Sequence, residues 1–326
     1  MSSISNAGLQ SISALDPRSY QPHFSHSAET RIWRETNCYV DLWIETLHAL
    51  GHDPVASFAA ALSADHDGEQ WTFLKMEQSD LRVLYGLEVT EDTVWRPILD
   101  TVESGTARNL LHTVEVDSWW LPDTAGTDYR SSHVKTTIVP ARVDRDAQSM
   151  VYFHNAGLFE LDGDDFVGIF GLGDQPEGLL PPYVEQIRYF PGRVQPDALL
   201  TVVREHLSRR ASGDPMARLA DSIRDAVTWL PERGLETFHQ WAFATLRQCG
   251  ASAELAADLA TLLGSGPAPA AAAAAEPFLQ VAQGAKAIQF KLARAARGKK
   301  VDVDAAMAEM SESWAQALDL VWDAVE

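Results

Sequence analysis

A chain of 326 residues with 46% hydrophobic side chains can bury one large core or two ordinary ones. A formal net charge of −20 argues against a nucleic-acid backbone as partner, which needs clustered Lys and Arg. Cys38 and Cys249 are too few and too far apart for a disulfide framework. The first residues lack the basic-then-apolar order of a secretory signal, and no stretch nears the roughly 18 to 20 apolar residues of a membrane span. A soluble, cytoplasmic protein is expected.

Residues 1–30, rich in Ser, Pro and His and without periodicity, read as an N-terminal arm. From Cys38 the residues Val40, Trp43, Ile44, Leu47 and Leu50 recur at helical spacing, and Gly51 and Pro54 stop the pattern. PVASFAAAL predicts a second helix and QWTFLK a strand. SDLRVLYG predicts a helix ended by Gly86, and DTVWRPILDTVESG one ended by Gly105. NLLHTVEVDSWWLP is β-rich. HVKTTIVPARVD, SMVYFHNAG and LFELDGDDFVGIF read as successive antiparallel strands joined at DRDAQ and AG, with DGDD as a hairpin turn. After Pro196 the segments DALLTVVREHLSRR, MARLADSIRDAVTWL, LETFHQWAFATLRQ and SAELAADLATLLG are helical in period. Two more helices follow the loop GSGPAPAAAAAAEP, the last with Trp314, Leu318, Val321 and Val325 on one face. The expected architecture is α+β: an arm over 1–30, a domain of helices plus an antiparallel sheet over 31–195, and an all-α bundle over 196–326.

Cys38 stands where a helix begins. Unpaired N–H groups there stabilise a thiolate and can hold a developing oxyanion. Free cysteine is equally at home as a small buried residue. A thiol nucleophile needs a base, and the base an orienting group. His133 opens one β-run and Asn155 ends the next, so antiparallel pairing can set both at one sheet edge facing Cys38. Equally, His133 reads as a loop residue and Asn155 as a turn former. Glu115 and Asp117 share one strand face, for a substrate ammonium or for basic partners at the rim. Trp119 and Trp120 wall a pocket or simply pack. His48, His52, His66 and His112 lack metal-ligand spacing, DGDD lacks the calcium-loop pattern, and GIFGLGD lacks the strand–turn–helix context of a phosphate loop. No metal is expected. Cys249 reads as structural. Lys291, Arg294 and Arg297, three apart, make a basic stripe in an acidic chain, either a solvated helix face or a surface for an acidic partner.

The order NCYVDLWIE, LYGLEV, VEVDSWWLPDTAGTDYRSSHVKTTIVPARVD, VYFHNAG resembles the papain-like superfamily. It is more closely similar to the fold shared by bacteriocin double-glycine peptidases and butirosin-type acyltransferases, over roughly residues 31–170. That resemblance implies Cys38 as nucleophile, His133 as base and Asn155 as its orienter. It also implies an acid-bearing strand with Glu115 and Asp117; Asn37 and Trp119 are further substrate-binding candidates beside it. The family's Gln about six residues before the cysteine is here Ile32, with Asn37, Arg34, Thr36 or backbone as other oxyanion donors. The strand end is ARVD where the family has GYD. These departures leave open a catalytically inactive scaffold. The whole chain is also similar to a bacterial family whose members are expected beside amino acid:carrier protein ligases, the truncated relatives of seryl-tRNA synthetases. The implied activity is acyl (aminoacyl) transfer from a carrier-protein thioester through Cys38. The only cofactor implied is phosphopantetheine on the partner, and the acceptor implied is an amine. A peptidase or amidase with the same residues is the alternative.

Overall fold

The computed structural model describes residues 12–173, 181–195 and 197–326. Residues 1–11 of the expected arm, and Asp174 at the end of GIFGLGD, lie outside the described residues. The chain divides into two compact units. Among the described residues one comprises 12–26, 38–54 and 77–195, and the other 27–37, 55–76 and 197–326. Residues 31–37 and 55–76, expected in the α+β domain, therefore belong to the second unit.

The first unit is built on a six-stranded antiparallel sheet: β1 (Leu87–Glu91), β2 (Leu111–Asp117), β3 (Lys135–Asp144), β4 (Ser149–His154), β5 (Gly157–Asp162) and β6 (Val184–Tyr189). Their spatial order is β1-β6-β2-β3-β4-β5. Helix α1 (Cys38–Ala49) packs across β3, β4 and β5, and α2 (Gln78–Tyr85) against β1. Helix α3 (Ile98–Ala107) packs on β2 and β3, and α4 (Gly163–Ile169) on β4 and β5. A cluster including Leu99, Val114, Ile138, Tyr152, Leu161 and Phe166 forms the core beneath α3 and α4. Gly86 caps α2 at φ 72°, and its missing side chain lets the Phe190 carbonyl approach. This fixes where the chain leaves the helix for β1.

Two turns set the register around the candidate site. Asn155 adopts φ 45° and, with Ala156, closes a two-residue hairpin that pairs His154 with Gly157. Positive φ suits Asn and matches the twist such a hairpin requires. Between β3 and β4 the register shifts at Pro140/Arg142, as expected where proline offers no N–H to a ladder.

Three sequence expectations change. QWTFLK forms no strand: only an isolated His66–Trp71 bridge occurs, and Trp71 donates its amide to the Ala244 carbonyl. DGDD is no hairpin turn but the start of α4, whose first turn carries Asp164 and Asp165, acidic groups favoured at a helix N-terminus. Strands β1 and β6 escaped the reading. They pair with each other, and β6 inserts beside β2.

The second unit is helical: α5 (Ala198–Ser208), α6 (Pro215–Ala242), a π-turn (Phe243–Arg247), α7 (Gln248–Ser265), α8 (Ala275–Ala295) and α9 (Asp304–Val325). Within α6, Gly234 at φ 76° breaks the helical path three residues after Pro231. Trp314, Leu318, Val321 and Val325 are buried along α9, as their spacing predicts. The segment before Cys38 is pinned to α7 and α8. The amides of Ile32 and Trp33 donate to the Glu254 carboxylate (2.9 and 2.8 Å), Arg31 meets Asp258 at 2.7 Å, and the Trp33 indole donates to the Ala282 carbonyl at 3.0 Å.

Candidate functional site

Cys38 is the first residue of α1 and is partly exposed. Burial raises its thiol above the usual range, and the charge of Asp41, one turn along the helix, adds to this. The nearby Thr136 side chain and the cysteine's own amide N–H act in the opposite direction. The resting sulfur is therefore a thiol. It needs a base at the moment of attack.

Thr136, the second residue of β3, supplies the connection. Its Oγ1 lies 2.8 Å from Nε2 of His154, the last residue of β4. Nδ1 of His154 lies 2.6 Å from Oδ2 of Asp123, whose Oδ1 accepts from the Tyr152 hydroxyl at 2.5 Å. His154 and Asp123 are buried, with side chains 1% and 4% exposed. A carboxylate can only accept, so Nδ1 carries the ring proton and Nε2 is left to accept from Thr136. The result is a polar chain from hydroxyl through imidazole to carboxylate, with its Thr136 end near the Cys38 thiol. The Asp123 charge pushes the Tyr152 phenol upward in addition to burial, so Tyr152 stays a donor.

The ladder does not bring His133 and Asn155 together. His154 faces Ile138 across the ladder, which puts Asn155 at the level of Thr137, four residues from His133. At about 3.3 Å per residue this separates the two by roughly 13 Å along the strand. Asn155 is the turn former, and its side chain makes no hydrogen bond among the described residues. His133 instead bonds Asp117 (Nδ1 to Oδ2, 2.6 Å) and stacks flat on Trp119, with centroids 4.6 Å apart and planes at 9°. Asp117 also accepts from the Trp119 amide, and Glu115 pairs with Lys135 at 2.8 Å. Glu115, Asp117, Trp119 and His133 therefore form one cluster on β2 and the approach to β3, half-buried except at the exposed His133. Asn37 lies in the second unit, buried, with its amide donating to the Leu74 carbonyl and Gln248. Its amide is committed there, as is the backbone N–H of Ile32 to Glu254. Of the basic stripe on α8, Lys291 donates to the Asp302 carbonyl, while Arg294 and Arg297 are exposed. The imidazole bonded to Thr136, His154, is the residue next to Asn155, the one expected to orient His133; as successive residues the two differ in what they face.

A second polar group lies along α1. His26 is buried between two carboxylates, with Nδ1 at 2.5 Å from Glu45 and Nε2 at 3.4 Å from Asp41. Glu45 also accepts from the Tyr20 hydroxyl at 2.5 Å and the His23 amide at 3.0 Å. Burial opposes the charged imidazole, but Asp41 and Glu45 outweigh it and bring His26 up to about 9. Burial would likewise raise the Glu45 carboxyl, and the bonds and charge of His26 carry it below the usual range. His23, buried and facing His48, is pushed down to about 4 and stays neutral.

A family model, the DUF1839 N-terminal domain, matches residues 21–189, and the DUF1839 C-terminal domain matches 192–323. The chain belongs to the DUF1839 family. Cys38, Thr136, Asp123 and His154 all lie within the N-terminal DUF1839 domain, as do His26 and its carboxylates. Lys291, Arg294 and Arg297 lie in the C-terminal one. No curated protein matches the chain. Among the described residues, no helix is long and apolar enough to cross a membrane.

Proposed function

We propose that this DUF1839 protein is a cysteine-dependent acyl transferase that forms a thioester on Cys38. The observation that carries the reading is the hydrogen-bonded chain Thr136–His154–Asp123, whose Thr136 acts on the Cys38 thiol. As the thiol attacks an acyl carbonyl, its proton passes to Thr136 Oγ1 while the hydroxyl proton passes to His154 Nε2. Asp123, itself held by Tyr152, stabilises the imidazolium. The sulfur–carbon bond forms, the donor's own carbon–sulfur bond breaks, and the departing thiolate takes the proton back. The start of α1 offers backbone N–H to the oxyanion. A thioester donor suits this site, because exchange between thiols is nearly isoenergetic. An acidic carrier protein bearing phosphopantetheine is the proposed donor, and the exposed Arg294 and Arg297 are suited to its charge.

The test is intact-protein mass spectrometry after incubation with an aminoacylated carrier protein. A single acyl adduct is expected, absent in Cys38→Ala. An adduct that persists in Cys38→Ala sinks the assignment of the nucleophile. Product analysis with and without an amine separates transfer from hydrolysis by a peptidase or amidase. The raised thiol favours a second reading, a binding scaffold without catalysis. Alkylation by iodoacetamide at the rate of an ordinary thiol, equally in wild type and His154→Gln, would support it.

A further inference from the structure

We propose that Asp117 and His133 form a second, solvent-facing base that activates an amine acceptor for discharge of the acyl group from Cys38; this rests on the acyl-transfer reading above. An exposed histidine ordinarily turns freely. This one is fixed from two directions, by Asp117 on Nδ1 and by the Trp119 ring against its face, although its side chain is 71% exposed. The Trp119 amide in turn holds the other Asp117 oxygen at 3.0 Å. Asp117 accepts the Nδ1 proton, so the Nε2 lone pair points outward, and it has no hydrogen-bond partner among the described residues. Holding an imidazole in one tautomer with its other nitrogen open to solvent is the arrangement of a preorganised base.

Position and charge suit the second half of a transfer. His133 opens the run that continues into Lys135 and Thr136, and both of these act on the Cys38 thiol. Glu115 is balanced by Lys135, which leaves Asp117 as the surplus negative charge of the cluster. A negative, open cluster attracts an acceptor that arrives as an ammonium, and its exposure admits a large one. In the step, the ammonium first releases one proton to solvent, and His133 Nε2 takes a second from the amine as nitrogen bonds to the acyl carbon. The carbon–sulfur bond breaks, the Cys38 thiolate takes a proton from solvent, and His133 releases the one it took back to solvent. One imidazole thus loads the thiol and the other unloads it.

The experiment separates the two halves. Wild type, His133→Asn and Asp117→Asn are incubated with short acyl and aminoacyl thioesters of N-acetylcysteamine, and the Cys38 adduct is followed by mass. Glycinamide is then added and the amide product timed. His133→Asn is expected to load at the wild-type rate and discharge to glycinamide about 10²-fold more slowly, with a flattened pH profile, and Asp117→Asn to change in the same direction. Hydroxylamine, neutral at neutral pH, should discharge variant and wild type alike. A merely structural role would not produce that rescue. Discharge at the wild-type rate in His133→Asn, or loss of loading in it, overturns the second base and leaves acyl transfer standing. Absence of any adduct on wild type removes acyl transfer itself, and the second base with it.

Discussion

Replacing His26 by Gln tests whether the buried cluster beneath α1 is held by charge. The imidazole rises from 6.5 to about 9 on folding, with Asp41 and Glu45 overcoming the cost of burial. A group raised on folding stabilises most below its unfolded value, and the contribution disappears as pH climbs through the folded one. A shift of that size corresponds to about 3 kcal/mol below about pH 6, with more than half gone by about pH 8 and almost nothing left by about pH 10. Glu45, lowered on folding, behaves oppositely and loses its contribution on the acid side. At neutral pH, His26→Gln leaves Asp41 and Glu45 buried together without their cation, so the variant should be about 3 kcal/mol less stable than wild type. If the whole chain unfolds together, that lowers the melting midpoint by about 4 °C. Urea denaturation of both proteins at about pH 7 and about pH 10 is the assay, and the wild-type-minus-variant difference cancels Tyr20, His23 and His48, which both share. The gap should close at the higher pH. A gap that persists there would show that His26 acts by packing, not by charge.

Thr136→Val keeps the shape of β3 but removes the hydroxyl between Cys38 and His154; acylation of Cys38 should slow by about 10²-fold in a stopped-flow thioester assay, with an unchanged circular dichroism spectrum. Asp123→Asn removes the acceptor that fixes the His154 tautomer, so loading should fall by about 10³-fold or more, and the His154 ring-nitrogen NMR shifts should report the changed proton position. In the helical unit, a Cβ at Gly250 would sit 2.5 Å from Cε2 of the Trp33 indole. Gly250→Ala should therefore cost about 2 kcal/mol in urea denaturation and shift Trp33 fluorescence, while leaving Cys38 alkylation unaffected.

The local elements were legible because they depend on near neighbours in the chain. The 3.6-residue spacing from Val40 to Leu50 names α1, Gly86 names the end of α2, and the face Trp314–Leu318–Val321–Val325 names the buried side of α9. Cys38 at a helix start was equally plain, since one residue and its neighbours define it. QWTFLK shows the limit: its residues favour a strand, yet its amides pair with Ala244 and a local turn, partners that no local pattern names. The register of β3 on β4, and hence which residue of β4 meets Thr136, lies in the pairing of Ile138 with His154 and in the left-handed turn at Asn155. His133, Asp117 and Trp119 were marked by their residue types. Only the ladder between β2 and β3 made them a cluster of their own. Propensity and periodicity are properties of successive residues and therefore appear in the sequence. The hydrogen bonds from Thr136 to His154 and from His154 to Asp123 join residues 18 and 31 positions apart, and only long-range pairing of the folded backbone could bring them together.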